Sequence, residues 1–410
     1  MKASQASILS IILSAVLCGI CLVPQTAFCQ GGSLTPPGTP APTMKSLDQI
    51  EPRTPITNTT AVTISASGSY YLTANITVTN GSAITITASQ VTLDLNGFTL
   101  SSTEASPTGT GILLVGGNTG ITILNGHIKG GVTYHGGGSY SGPGFAAGIY
   151  YSVTAPYNVR VSGVSVSGCS TYGIYLSVGN ATIVESCPVF DIGSYGIEAN
   201  SVSQSAASQC GSVAIAANIA SDCYGLSTGS LGLYANFSAN NCYGQTASSN
   251  PGLSATTANN CQGQNNGSGD GLDAVTANNC QGQSTGSGTG LSASQTAMGC
   301  YGLSATGKGL STTTANNCNG LSNGSGDGLD ANTANNCQGQ STGNGTGLLA
   351  NYIATGCYGT SSNGNGLSAH IAIGCSGSSS VFGIAAEIAN SCYSGGSAGD
   401  GGIANTYNMP

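Results

Sequence analysis

The sequence contains no tryptophan and very little charge. Six Lys and Arg and fourteen Asp and Glu make up 5% of its 410 residues, whereas about a quarter of an ordinary globular domain is charged. So few basic groups exclude a nucleic-acid groove and a patch for anionic membranes. Low charge also argues against intrinsic disorder, which needs the opposite composition. The 65 glycines argue against helical bundles and doubly wound enzymes, because glycine interrupts helices.

The chain begins with a pattern typical of a secretory signal. Residues 6–23 form an apolar run that follows the cationic Lys2, and the pattern predicts a signal peptide over residues 1–29 with cleavage before Gln30. A membrane anchor that is not cleaved and lipidation of a cysteine are the alternatives. Residues 30–43 are predicted to form an extended Pro-rich linker. We therefore expect a secreted, extracellular or cell-surface protein, with the periplasm as an alternative and no membrane span after signal cleavage.

A repeat of about 19 residues fills the second half of the chain. From Gly232 to Gly402 a Gly-Leu or Gly-Ile pair recurs at intervals of 20, six times 19, 17 and 19 residues, and it opens phrases such as GLSATTANNC (252–261). Leu followed two residues later by Ala is the period of a strand with one face turned inward. A helical repeat is excluded because no unit offers two apolar turns free of glycine. The period predicts a β-solenoid with one repeat per coil, and parallel crossovers are normally right-handed.

The upstream half repeats this pattern with bulkier residues and irregular spacing, as in GIYLSVGNATIVESC (173–187). We predict an all-β, single-stranded right-handed parallel β-helix. Wide, irregular coils and an N-terminal cap are expected over residues 44–220, and regular coils of about 19 residues over 221–410. The segment GSYYLTANITV (68–78) is expected to cap the open end, which a solenoid must protect.

Four segments carry a resemblance to a known family: MKSLDQIEPRTPI (44–56), GSYYLTANITV (68–78), ITASQVTLDLNGFTL (86–100) and GITILNGHIKGG (120–131). They resemble the N-terminal part of secreted bacterial right-handed parallel β-helix proteins of the pectin-lyase-like superfold. The resemblance covers roughly residues 44–200, and the downstream array is similar only in being a β-helix. The superfold includes polysaccharide lyases and hydrolases, phage tailspikes and adhesins, so the resemblance implies a fold without fixing a function.

Thirteen cysteines follow the predicted signal, about one per coil. Stacked cysteines lie about 4.8 Å apart, which is inside the Cα range of a disulfide but beyond its usual Cβ range. We expect a structural ladder of buried free thiols, with disulfides between coils as the alternative. No metal site is expected, since no CxxC pair follows the signal and no His accompanies the column. The ladder residues are Cys223, Cys242, Cys261, Cys280, Cys300, Cys318, Cys337, Cys357, Cys375 and Cys392.

Chemically useful side chains concentrate between residues 127 and 198. The candidate catalytic residues are Lys129, Arg160, Glu185, Asp191 and Glu198. The candidate ligand-binding residues, whose rings could hold sugars, are Tyr150, Tyr151, Tyr157, Tyr172, Tyr175 and Tyr195. The Asp pair and Gly-His-Gly of polygalacturonases are missing. A lyase would need Ca²⁺ held by several acids, and no other cofactor is expected.

Two functions are compatible with these observations. The first is a non-catalytic structural or adhesive β-helix whose ligand is a polysaccharide or a cell-surface glycan, and which associates with further copies of itself. The alternative is a polysaccharide lyase or glycoside hydrolase with its site in the 127–198 region. The first is favoured because the regular array contains no convergent acids.

Overall fold

The computed structural model describes residues 51–396 and 402–407, with side chains up to residue 395. The predicted signal peptide and linker lie outside the described residues. One compact unit begins at Arg53, and its described part is built from strands, turns and bends. Within the described residues there is no helix long and apolar enough to cross a membrane.

Each coil contains three strand segments, and each segment pairs in parallel with its equivalent in the next coil. We name the three resulting stacks sheet 1, sheet 2 and sheet 3, in the order in which the chain enters them. In one regular coil, residues 253–255 lie in sheet 1, residues 257–259 in sheet 2 and Gln262–Asn265 in sheet 3. The predicted all-β parallel β-solenoid is confirmed, whereas its right-handedness stays a prediction.

In the first coils the three segments are separate short strands. They are β1 (Thr54–Ile56, sheet 2), β2 (Val62–Ile64, sheet 1), β3 (Gly68–Leu72, sheet 2), β4 (Ile76–Val78, sheet 3), β5 (Ile84–Ile86, sheet 1), β6 (Val91–Asp94, sheet 2), β7 (Thr99–Ser102, sheet 3) and β8 (Thr110–Val115, sheet 1). Strand β3 pairs with β1 on one side and β6 on the other. The segment expected to cap the open end is therefore an internal strand, because β1 covers its outer edge.

The next coils are less regular and carry an inserted hairpin, β10 with β11. Their strands are β9 (Thr119–Lys129), β10 (Thr133–Tyr134), β11 (Tyr140–Ser141), β12 (Ala147–Ser152), β13 (Tyr157–Cys169), β14 (Tyr172–Tyr175), β15 (Ile183–Glu185), β16 (Pro188–Ile192) and β17 (Tyr195–Ser203). Strands β9 and β13 bend from sheet 2 into sheet 3, whereas β17 bends from sheet 1 into sheet 2. Strands β12 and β14 belong to sheet 1, β15 to sheet 2 and β16 to sheet 3.

From β18 onward the pattern is strictly alternating. Even-numbered strands lie in sheet 3, while odd-numbered strands run through sheet 1 into sheet 2. They are β18 (Ala206–Cys210), β19 (Ile215–Ser221), β20 (Tyr224–Ser227), β21 (Leu233–Asn240), β22 (Tyr243–Thr246), β23 (Leu253–Asn259), β24 (Gln262–Asn265), β25 (Leu272–Asn278), β26 (Gln281–Ser284), β27 (Leu291–Met298), β28 (Tyr301–Ser304), β29 (Leu310–Asn316), β30 (Asn319–Ser322), β31 (Leu329–Asn335), β32 (Gln338–Ser341), β33 (Leu348–Thr355), β34 (Tyr358–Ser361), β35 (Leu367–Ile373), β36 (Ser376–Ser379), β37 (Ile384–Asn390), β38 (Tyr393–Gly396) and β39 (Gly402–Tyr407).

The core becomes narrower along the chain. The largest fully buried side chains, among them Leu72 and Phe145, all lie in the upstream coils, whereas the array buries mainly Leu, Ala and Cys. Glycine sets the width of the array. A Cβ atom on Gly263 would overlap the carbonyl oxygen of Gly271, and one on Gly271 would overlap the backbone nitrogen of Gln283. The walls thus meet backbone to backbone, and no larger residue fits there.

The ten ladder cysteines are free and buried. In sequence each immediately precedes a sheet 3 strand, and neighbouring thiols contact the same backbone groups in successive coils. The Cys280 thiol donates to the Ala258 carbonyl at 3.3 Å, and its sulfur accepts the Cys261 backbone N–H at 3.5 Å. Hydrogen bonds with the thiols of Cys261 and Cys300, together with burial, raise the pKa of Cys280. Buried, hydrogen-bonded and neutral, these thiols act as small core residues.

The three upstream cysteines are arranged differently. Cys169 and Cys210 end their sheet 3 segments, since both pair through Ile192. Cys187 takes the ladder position, but Ser205 follows it there, and the Ser205 hydroxyl accepts the Cys187 backbone N–H at 3.1 Å. One-per-coil spacing therefore concealed two inward positions, one before and one at the end of sheet 3.

An asparagine column forms the bend between sheets 2 and 3. Asn260 and its equivalents Asn241 and Asn279 have φ values of 52–53°, in the left-handed region that Asn tolerates better than most residues. In the neighbouring column the Asn259 amide donates to the side-chain oxygen of Asn240 at 2.9 Å, and the Asn278 amide repeats this bond to Asn259. The bend thus satisfies its polar groups by bonding each coil to the next.

A serine column closes the opposite side of each coil, where the sequence shows only turn residues. The buried Ser304 hydroxyl donates to the Gly288 carbonyl at 2.7 Å and accepts the Gly307 backbone N–H at 2.9 Å. Ser322 and Ser341 make equivalent bonds to the carbonyls of Gly307 and Gly326. These hydroxyls fix the loops, which have little apolar surface to bury.

Replacing Ser304 with Ala should lower the free energy of unfolding by about 1–3 kcal/mol, because a buried carbonyl and N–H lose their partner. Chemical denaturation measures the change. The control is Ser325→Ala in an exposed loop, where we expect less than about 0.5 kcal/mol. Equal effects at the two positions would contradict a structural role for the serine column.

Alkylation tests the thiol ladder. In the folded protein the ten ladder cysteines should resist iodoacetamide, and unfolding in guanidinium without reductant should make all ten react. Peptide mass spectrometry reads each site separately. Cysteines that react only after a reductant is added would instead show disulfides between neighbouring coils.

Candidate functional site

Five tyrosines cover the outer face of sheet 1 in the upstream coils. We call Tyr150, Tyr151, Tyr172, Tyr175 and Tyr195 the tyrosine cluster. The parallel register places Tyr175 beside Tyr150, and Tyr195 beside Tyr172. Period-two alternation turns these side chains outward while Ile149, Ile174 and Ile197 fill the core. The cluster thus follows directly from the register of β12, β14 and β17.

The rings of the cluster contact one another. Ring centroids of Tyr150 and Tyr172 lie 5.3 Å apart with planes within 4°, and those of Tyr172 and Tyr175 lie 4.4 Å apart. Tyr195 packs edge-on against Tyr175 at 6.0 Å, and Tyr151 stacks on Tyr175 at the same distance. Such mutual packing restricts the rings and forms a preorganised aromatic surface.

Glu198 is the acidic group of this surface. It follows Tyr175 in the register of sheet 1. Burial raises the pKa of Glu198, and the neighbouring Tyr175 hydroxyl opposes that shift. Burial together with the Glu198 carboxylate also raises the pKa of Tyr175. The pair thus combines a half-buried carboxylate with a neutral hydroxyl.

Three concavities follow one another along the outer side of sheet 1. The first, about 350 Å³, includes Tyr150 and Tyr172, and the second, about 330 Å³, includes Tyr195 and Glu198. Tyr234 lines both the second and the third, which measures about 320 Å³. The cluster connects the first to the second through its ring contacts. We call this row the sheet 1 groove.

Polar groups suited to hydroxyl ligands border the groove. Asn236 lines the second and third concavities, and its amide donates to the Asn218 side chain at 2.7 Å. Ser254, Thr256 and Asp273 line the third concavity. The sequence analysis missed these residues. Register was the available signal, because Tyr234, Ser254 and Asp273 occupy the same outward column as Tyr175 and Glu198.

The other candidate residues lie on different faces. Arg160 and Glu185 form an ion pair on the outside of sheet 2, with Nε to Oε1 at 3.0 Å. The Arg160 guanidinium holds the pKa of Glu185 below its usual value. Lys129 is exposed on sheet 3, and Tyr157 begins the sheet 2 part of β13 with 58% exposure. Only Glu198 and the tyrosine cluster come together.

Asp191 lies on sheet 3 beneath the β10–β11 hairpin. Its Oδ1 atom is buried without a hydrogen bond, and burial raises the pKa of the carboxyl group. Among the described residues there is no group of three His, Cys, Asp or Glu that could hold a metal ion. Asp191 therefore belongs neither to the sheet 1 groove nor to a recognisable cation site.

A further hollow of about 510 Å³ opens at the bend between sheets 2 and 3, beside Tyr224, Tyr243 and Asp222. The two rings stack at 5.0 Å, and Asp222 accepts a bond from the Asn241 amide at 3.1 Å. It is larger than each groove concavity but stands alone and is lined by bend residues. We therefore place the candidate site in the sheet 1 groove.

No family model and no curated protein matches the chain. Among solved structures, the enzymatically active domain of tailspike protein 2 of bacteriophage CBA120 is 15% identical, with coverage of 69% of this chain and 39% of that one and a TM-score of 0.24. The Dettilon tailspike protein is 10% identical, with coverage of 77% and 58% and a TM-score of 0.30. The chain thus spans less than two thirds of either structure, and similarity at this level assigns no function.

Two equivalent aspartates in the array differ in their charge environment. Asp273 and Asp330 each follow a Gly-Leu pair on sheet 1. Lys308 forms an ion pair with Asp330, whereas burial and the neighbouring Asp270 raise the pKa of Asp273. Ionised Asp273 therefore opposes folding at neutral pH, while Asp330 has a counter-charge.

Asp273→Asn should raise the melting temperature at pH 7, and Asp330→Asn should lower it by the equivalent of less than about 1 kcal/mol. The gain from Asp273→Asn should shrink as the pH falls through the folded-state pKa of Asp273, because the raised pKa makes the ionised form the unfavourable one. Differential scanning calorimetry between pH 3 and 7 measures both. A loss of stability in both variants at pH 7 would refute this assignment.

Proposed function

We propose that the protein is an extracellular, non-catalytic β-solenoid that binds polysaccharide along the sheet 1 groove. The observation that carries this proposal is the tyrosine cluster at the junction of aligned concavities. Aromatic faces offer flat apolar surface to sugar rings, and the bordering amides and hydroxyls suit sugar hydroxyl groups. The apolar run at residues 6–23 supports an exported location, secreted or at the cell surface.

The spacing of the acids favours binding without catalysis. A glycoside hydrolase normally needs two carboxyl groups about 5–9.5 Å apart. From Glu198 the outward column passes Ala216, Tyr234 and Ser254 before it reaches Asp273. These four coil steps correspond to about 19 Å. A lyase or hydrolase is the alternative, and Glu198 would be its acid or base because it is the candidate within the groove.

Product release tests that alternative. Incubation with neutral and uronate polysaccharides, with and without Ca²⁺, should give no new reducing or unsaturated ends. Ends formed by the unaltered protein and lost in Glu198→Gln would instead establish an enzyme.

Removing rings from the cluster should weaken binding. On a panel of immobilised cellulose, xyloglucan, galactomannan and homogalacturonan, we expect Tyr172→Ala and Tyr175→Ala each to lower affinity for the bound polysaccharide about tenfold, the equivalent of about 1.4 kcal/mol. Tyr224→Ala is the matched control, since Tyr224 also stacks on a tyrosine but lies outside the groove. Quartz-crystal or interferometric binding curves measure the change. Weakening by Tyr224→Ala alone would move the site to the bend between sheets 2 and 3.

A further inference from the structure

We propose that the sheet 1 groove selects uncharged polysaccharide chains over polyuronates and sulfated chains of the same backbone. The proposal rests on the proposed function and adds the chemical class of the ligand. Four observations support it: the charges that line the groove, the position of the cations, the partial burial of the acids and the length of the groove.

The groove carries acids and no base. Its three concavities are lined by Ser, Thr, Asn, Tyr and small apolar residues, together with the carboxylates of Glu198 and Asp273, and without a Lys, Arg or His. A polyuronate bears one carboxylate on each sugar. Such a chain would bring like charges together along the groove, which is unfavourable for binding.

The cations of the described residues lie elsewhere. Arg53 pairs with Asp94 at 3.4 Å, and Arg160 pairs with Glu185 on sheet 2. Lys129 is exposed on sheet 3. Lys308, one coil beyond the third concavity, is in an ion pair with Asp330. None of these four lines the groove, so no positive group there compensates an anionic sugar.

Partial burial makes the two acids effective in this selection. Burial raises the pKa of Glu198 and of Asp273, which shows that solvent screens these carboxylates less than it screens surface groups. Neutral sugar hydroxyls, in contrast, can donate hydrogen bonds to the carboxylates. The same residues thus attract hydroxyl groups and repel anions.

The length of the groove indicates a polymer as its ligand. In the sheet 1 register the lining residues extend from β5 (Ser82 precedes it) to β27, which contains Ser294. The intervening strands are β8, β12, β14, β17, β19, β21, β23 and β25. Nine steps of about 4.8 Å give about 43 Å. A chain laid along the solenoid axis can occupy all three concavities, whereas a single sugar occupies one.

Calorimetric titration of the mature protein with two matched chain pairs tests the proposal. The pairs are homogalacturonan against its fully methyl-esterified form, and cello-oligosaccharide against the same chain oxidised to the uronate at C6. In at least one pair we expect the uncharged member to bind about tenfold more tightly at low salt. The ratio should fall toward one in 1 M NaCl, because salt screens the repulsion. Affinity should also rise with the length of the uncharged chain.

The double variant Glu198→Gln/Asp273→Asn should bind the charged members more tightly and so reduce the ratio, with its folding checked by the melting temperature. Glu185→Gln on sheet 2 is the control and should leave the ratio unchanged. Equal or tighter binding of the charged members by the unaltered protein at low salt would overturn the charge selection. Absence of binding to every member, by folded protein, would instead count against the proposed function itself.

Discussion

Stacking at the strand spacing gives each residue its equivalents above and below as nearest neighbours, and the rest of the structure depends on this constraint. A side chain repeated in every coil must tolerate its own copy about 4.8 Å away. Thiols, amides and hydroxyls do so because they both donate and accept hydrogen bonds, as in the Asn259–Asn278 and Cys261–Cys280 contacts. Repeated charges do not, because like charges repel at that distance. The low charge of the chain is therefore a consequence of its architecture. The two Asp pairs of the array, at 270/273 and 327/330, are 57 residues apart. That separation equals three coils, or about 14 Å, which exceeds the Debye length in physiological salt.

Glycine imposes the second limit. Because the walls of the array touch at Gly263 and Gly271, the interior accommodates only Leu, Ala, Cys and small polar residues. Each coil therefore buries little apolar surface, and a larger part of the organisation of the coil comes from hydrogen bonds. The backbone ladders join the coils, while the serine column holds the loops and the asparagine column holds the bend. The upstream coils have a different balance, since Ile, Leu and Phe145 fill a wider interior.

Periodicity made the solenoid predictable, because a 19-residue spacing and inward Leu and Ala repeat without interruption. It failed where the register changes. Cys169 and Cys210 are spaced like ladder residues, yet they end sheet 3 segments, and a register shift follows between Ala207 and Cys210. The candidate acids suffered the same limitation. Arg160, Asp191 and Glu198 are close in sequence but lie on sheets 2, 3 and 1, because each coil of the irregular half turns its strands through three faces. The tyrosines at 150, 172, 175 and 195 meet because their spacing matches whole coils. The serine column was missed because its residues look like ordinary turn material.

The same constraint explains where a binding site can be built. A perfectly repeating coil offers an identical surface at each level, so it can hold a polymer but cannot distinguish one position along it from another. The tyrosine cluster and Glu198 occupy coils of unequal length, where neighbours differ and an acid can stand beside rings rather than beside another acid. Tyr234 and Asn236 extend that surface to the first regular coils. Farther along, Ser254 and Asp273 continue the groove with small polar groups. Irregular coils thus supply the distinctive contacts, and the array supplies a uniform extension on which a long ligand can continue.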